Sequence, residues 1–108
     1  MTVKALADAA DFNIICAPSP DREINGVYIG DLLSWVMGKA EADNVWITIM
    51  SNINIAAVAT LADVSCILLA EGVTVEKDVL DIANAKGINL ISTELSAYDA
   101  AIKISRLV

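Results

Sequence analysis

Histidine is absent from this chain of 108 residues, and that absence excludes more than any residue present. The imidazole is the commonest zinc and iron ligand and the commonest acid–base group near neutral pH, so those chemistries lose their usual parts. Cysteine is scarce: Cys16 and Cys66 lie far apart, form no CxxC pair and sit in the apolar runs IIC and SCILL. Buried free thiols are expected there, ahead of a disulfide or a metal site. No phosphate-cradling loop is present. Gly38-Lys39-Ala40 lacks both the upstream glycine and the following hydroxyl of GxxxxGK[ST], and no GxGxxG occurs. Positive charge is also short, with Lys+Arg 7 against Asp+Glu 14 and a net charge of -7, the basic residues being scattered. That balance argues against a nucleic-acid or anionic-membrane surface. No apolar run approaches a membrane span, and the start lacks a basic stretch leading into an apolar one. The expectation is a cytoplasmic protein without cofactor or metal.

What the chain has in excess is apolar surface: 56% of residues are hydrophobic and only 19% charged. A chain this short folds as a single domain over 1–108, with enough buried surface for one proper core. Apolar content above the usual range implies helices buried on more than one stripe, or apolar surface covered by a second subunit. A homodimer is therefore expected.

Helical and strand patterns alternate along the chain. Thr2 caps a helix with Val3, Leu6, Ala7 and Ala10 on its apolar side, and Phe12 to Ala17 reads as a strand stopped by Pro18-Ser19-Pro20. Asp21 to Gly26 is a charged turn, and Val27-Tyr28-Ile29 a short strand broken by Gly30. Asp31 is placed as the N-cap of a helix over 32–37 with Leu32, Leu33, Val36 and Met37 inward. Val45 to Met50 reads as a central strand, 53–62 as a helix lying close on the sheet, and 63–69 as another buried strand. Thr74 caps a helix over 75–86 whose apolar side is Val75, Val79, Ile82, Ala83 and Ala85; Gly87 ends it before a last strand at 88–91. Ser96 and Asp99 have capping-box spacing for a final helix toward Leu107. The alternation predicts a three-layer α/β domain, a mainly parallel sheet with helices on both faces.

Two groups of residues are candidates for function. The first is the charged segment from Asp21 to Asp31, with Arg22 to neutralise an anion and Asn25, Gly26, Tyr28 and Gly30 around it. The plainer reading makes Arg22 the ion-pair partner of Asp21 or Glu23, or part of a salt bridge at a dimer rim, and Asp31 a cap. The second is the set of strand-to-helix junctions: Ser51-Asn52-Ile53-Asn54, Glu71-Gly72-Val73-Thr74 and Ser92-Thr93-Glu94-Leu95-Ser96. In open parallel sheets ligands collect beyond the carboxyl ends of strands, so Asn52, Asn54 and Thr93 are candidates, although helix starts require such residues anyway. Asp21, Glu23, Asp31, Asp63 and Glu94 are the carboxylates from which an acid–base pair would have to come. Trp35, Trp46 and Tyr28 belong to the core unless exposed, in which case they mark an interface.

With Asp21-Arg22 followed by Gly26, and with Gly30-Asp31-Leu32-Leu33-Ser34-Trp35-Val36-Met37 behind it, the whole chain resembles the DRTGG domain family. Glu23-Ile24-Asn25 departs from the family's Thr-containing motif. The resemblance implies a fold similar to the N-terminal domain of HPr kinase/phosphorylase, without that protein's kinase domain. It also implies a non-catalytic regulatory or interaction module that associates with an enzyme or senses a small anionic metabolite or nucleotide. In that reading Arg22 meets the anion, while Gly26 and the Asn52–Asn54 junction let a ligand approach the backbone. A purely structural oligomerisation domain and a small enzyme using a carboxylate pair are the alternatives.

Overall fold

In the computed structural model, which describes residues 1–108, Thr2 Oγ1 accepts a hydrogen bond from the Ala5 N–H at 3.1 Å and starts helix α1 (Val3–Ala10). The helix buries Val3, Leu6, Ala7 and Ala10, the stripe read from their spacing. Nine further elements follow: β1 (Asn13–Cys16), β2 (Val27–Ile29), α2 (Leu33–Lys39), β3 (Val45–Thr48), α3 (Ile55–Ala62), β4 (Cys66–Leu69), α4 (Lys77–Ala85), β5 (Asn89–Ser92) and α5 (Ala97–Ser105). The strands form one sheet in the order β1-β5-β4-β3-β2. Strands β2 to β5 are parallel, and β1 joins the β5 edge antiparallel. The expected α/β architecture is present.

The parallel strands add in sequence order without reversal. Crossovers of one hand must then place α2, α3 and α4 on the same face, and the core shows this. Val36, Ile55, Ala59, Val79 and Ala83 from these helices pack with Trp46, Ile67, Leu69 and Leu90 on one side of the sheet. The other face is covered by the terminal helices: Leu6 and Ala10 of α1 and Ala100 and Ile104 of α5 meet Ile47, Leu68 and Ile91. Strands β3 and β4 are buried on both faces, as their unbroken apolar runs require. Each fully buried aliphatic side chain there contributes about 1.5–3 kcal/mol.

Three helix details differ from expectation. Asp31 does not cap α2; its Oδ1 accepts from Thr48 Oγ1 at 2.8 Å and from the Ile49 N–H at 3.0 Å, which clips the end of β2 to the end of β3. Helix α2 starts after Leu32 without a side-chain cap. It buries only Val36, leaving Leu33 half-buried and Leu32 and Met37 exposed. Helix α2 follows the edge strand β2 and packs on α3, so only the side holding Val36 meets the core. Likewise α4 begins after Glu76 rather than Thr74, again without a side-chain cap, and Ala85 faces outward. Gly87 follows α4 at φ +75° and Ser96 Oγ accepts from the Asp99 N–H at 3.1 Å, both as expected.

Candidate functional site

After β4 the chain turns to α4 on one face; after β5 it turns to α5 on the other. Neighbouring strands whose connections leave to opposite faces open a crevice at their carboxyl ends, the place where open α/β sheets bind ligands. A cavity of about 460 Å³ lies there, within the range of small-molecule sites. Its walls are the loops Gly72–Thr74 and Ser92–Leu95, the end of α1 with Asp11 and Asn13, and Lys103 of α5. Gly72 adopts φ +70°, a conformation that disfavours side chains, and a Cβ there would push the Glu94 carboxylate aside.

Most backbone N–H groups of the two loops are already engaged within the protein. The N–H groups of Glu71, Gly72, Val73 and Thr93 donate to Leu95 O, Thr93 O, Ala70 O and Leu69 O at 2.8–3.2 Å. The Leu95 N–H is taken by Thr93 Oγ1 at 3.2 Å, and Asn13 Nδ2 faces Ser92 Oγ at 3.3 Å. Asp11, Glu94 and Lys103 line the cavity but take part in none of the ion pairs of the molecule.

The charged segment lies at the opposite end of the sheet, beside the amino ends of the parallel strands. Arg22 pairs neither with Asp21 nor with Glu23. Its Nη2 reaches Asp43 Oδ1 at 3.0 Å, Asp63 Oδ1 at 2.7 Å and Asp63 O at 2.6 Å. Burial pulls the guanidinium pKa down, but the hydrogen bonds and charges of Asp63 and Asp43 outweigh it and raise the pKa above its ordinary value. Asp63 is the left-handed C-cap of α3, a carboxylate at the negative end of a helix, and Arg22 compensates it. Around this pair the segment is stitched down. Val3 and Lys4 N–H groups of α1 donate to Arg22 O and Pro20 O, Ser65 Oγ bonds Glu23 O and Asp43 O, and Asn44 Nδ2 donates to Asn25 O at 2.6 Å. The fully buried Asn89 accepts from the Ser19 N–H and donates to Ser19 O and Ser65 O. Gly26, at φ +85°, turns the chain into β2 against Asn44.

The sequence-derived residues thus divide. Thr93 lies in the crevice, with two of the three expected junctions. Asn52 and Asn54 sit at the end of β3 and do not line it; Asn52 Oδ1 accepts from the Asn54 N–H at 2.9 Å. Arg22, Asn25 and Gly26 are at the other end of the sheet, so the expected joining of Arg22 with the Asn52–Asn54 junction does not occur. The reason is topological: Arg22 precedes β2 whereas Asn52 follows β3, and parallel strands keep those positions apart. Tyr28 is half-buried over Gly30, where a Cβ would meet its ring at 2.8 Å; the Gly30 carbonyl accepts from the buried Trp46 Nε1 at 2.8 Å. Asp21 is exposed. Asp63 is held by Arg22, Glu23 by the Met1 amino group and Asp31 by Thr48, and these three do not converge as a catalytic pair. Both cysteines are free, Cys66 buried and Cys16 half-buried. No group of three or more Cys, Asp or Glu is placed to hold a metal ion, and no helix is long and apolar enough to cross a membrane.

Sequence reasoning missed Asp11, Asn13 and Lys103. They come from α1, β1 and α5: Asp11 and Asn13 reach the crevice because β1 pairs with β5, and Lys103 because α5 packs back on the sheet.

The sequence matches the DRTGG domain over residues 5–107. This chain belongs to the DRTGG domain family. No curated protein matches it. Among solved structures it is similar to the CBS and DRTGG domains of the regulatory region of Clostridium perfringens pyrophosphatase, complexed with its activator diadenosine tetraphosphate. The TM-score is 0.74 and the identity 16%, over 95% of this chain. This chain spans 45% of that one, and at this identity the likeness is one of fold.

Proposed function

We propose that this DRTGG domain is a non-catalytic regulatory module of the cytoplasm that senses a small molecule in the β4/β5 crevice and passes its occupancy to an enzyme partner. The observation that carries the reading is the crevice itself: a cavity at the carboxyl ends of β4 and β5 whose charged walls lack ion-pair partners within the protein. The fold likeness to a pyrophosphatase regulatory region complexed with a nucleotide activator supports a role beside an enzyme. An anion held by Arg22 is not favoured, because that guanidinium is already engaged by two aspartates and a carbonyl. Thermal melting across a panel of metabolites, including nucleotides and diadenosine tetraphosphate, tests the reading. A raised midpoint that disappears in crevice variants is expected. A midpoint that no compound moves counts against it.

A second reading, homodimerisation, rests on an exposed apolar surface around the carboxyl ends of β2 and β3 and the start of α2. Ile29, Ile49 and Ile53 gather there with Leu32 at 58% exposure and Trp35 at 56%, its ring under Lys39 Nζ at 4.1 Å. Exposed aromatic and aliphatic anchors of this kind are what subunit interfaces cover. Sedimentation should show a concentration-dependent dimer that Trp35→Asp dissociates; a monomer at all concentrations removes this reading.

A further inference from the structure

We infer that the crevice recognises a zwitterionic metabolite of the α-amino-acid type, one carrying an ammonium and a carboxylate, rather than a polyphosphate. The inference rests on the proposed sensing role and names the ligand class for the same site.

The negative wall comes from α1. Asp11 is its C-cap in the left-handed region at φ 58°, ψ 39°, and α1 has no basic residue in its last turn. A carboxylate beside the negative end of a helix attracts a cation, and no side chain of the protein supplies one. Asp63 ends α3 with the same dihedral angles, φ 59° and ψ 38°, and is neutralised by Arg22 at 2.7 Å. The comparison defines what Asp11 lacks: a positively charged hydrogen-bond donor. Glu94 adds a second unpaired carboxylate on the same cavity.

The positive wall comes from α5. Lys103 lines the cavity and, with Leu95, also lines an adjoining hollow of about 410 Å³ that contains Arg106 and Asp99. A carboxylate extended toward Lys103 and Arg106 meets cations, whereas one placed by Asp11 and Glu94 is repelled. Five N–H groups of the two loops, those of Glu71, Gly72, Val73, Thr93 and Leu95, are already used within the protein. Those of Thr74 and Glu94 have no backbone partner, but two isolated N–H groups on separate loops are not the run of successive donors that forms a phosphate-cradling nest. A polyphosphate would bring several negative charges to a cavity with two carboxylates and one lysine, on a protein of net charge -7. A compact zwitterion matches both walls, and Val73 and Leu95 give the cavity an apolar lining for its side chain.

The test is a two-dimensional NMR titration of the whole domain with each free α-amino acid, its N-acetyl and carboxamide derivatives, and ATP. Resonances of Gly72, Thr93 and Lys103 should shift with at least one free amino acid and not with its two derivatives. Asp11→Asn and Lys103→Gln should each weaken that binding about tenfold, the loss of one charged hydrogen bond. Asparagine tolerates the left-handed region and Lys103 is exposed, so both variants should remain folded. Shifts at the crevice with ATP and none with amino acids overturn the zwitterion and leave the sensing role standing. Equal binding of an N-acetyl derivative also overturns it. Silence of the crevice toward every compound overturns the sensing role with it.

Discussion

The two ends of the sheet differ in how far their polar groups are satisfied. At the amino end Arg22, Asp43, Asp63, Asn44, Ser65 and Asn89 hold one another and the backbone, and no buried side-chain polar atom anywhere in the molecule lacks a partner. At the carboxyl end of β4 and β5, Asp11, Glu94 and Lys103 line a cavity with no ion-pair partner. A saturated network fixes structure, because its groups gain nothing from a ligand. Unpaired charges around a cavity remain free to meet one. The charged segment around Arg22 is therefore tied into the fold, and the junctions after β4 and β5 carry the candidate site.

Substitutions should separate the ends, the largest effect coming first. Asn89→Ala should lower stability by about 3 kcal/mol in urea unfolding, since it strands buried partners of three hydrogen bonds. A loss below 1 kcal/mol would show that the amino end is not held as described. Arg22→Met should cost about 2 kcal/mol, less than its bond count suggests because both aspartates retain contact with water.

Alkaline pH sharpens the picture at Cys66, whose complete burial raises the thiol from 9.0 to about 12, the Arg22 charge opposing. Between those values the unfolded chain has released the proton that the folded one keeps, so stability falls as pH rises. At pH 10 the loss from this group should be about 1.4 kcal/mol relative to neutral pH. In Cys66→Ala this component of the pH dependence should vanish.

At the crevice, Gly72→Ala should cost about 1 kcal/mol for its positive φ and displace the Glu94 carboxylate, visible as shifts of Glu94 and Thr93. Glu94→Gln and Lys103→Gln should change stability by less than about 0.5 kcal/mol in the same unfolding assay, as exposed groups without partners do. A large loss in either would mean that the crevice, too, is structural.

Much of the fold was legible because apolar spacing and caps are local. Thr2, Ser96, Gly87 and the runs VWIT and CILL act where they stand in the sequence. The helix starts at Asp31 and Thr74 were misread because the same side chains serve other partners or none: Thr48 and the Ile49 N–H claim Asp31, a contact between strands that no local window contains. Arg22 was legible as an ion-pair residue but not with its true partners, since Asp43 and Asp63 lie 21 and 41 residues away. The crevice was half legible. Its two loops follow strands, whereas Asp11, Asn13 and Lys103 arrive through the antiparallel docking of β1 and the return of α5. Helices on both faces were expected from crossovers alone; in fact the second face is built by the two terminal helices.

The most direct measurement maps, residue by residue in the NMR spectrum, where metabolites perturb the domain. Shifts confined to Gly72–Thr74, Ser92–Leu95, Asp11 and Lys103, with Arg22, Asp43 and Asp63 unmoved, are the expected result. A binding compound whose shifts centre on Arg22 and its two aspartates would contradict the assignment of structure to one end and sensing to the other.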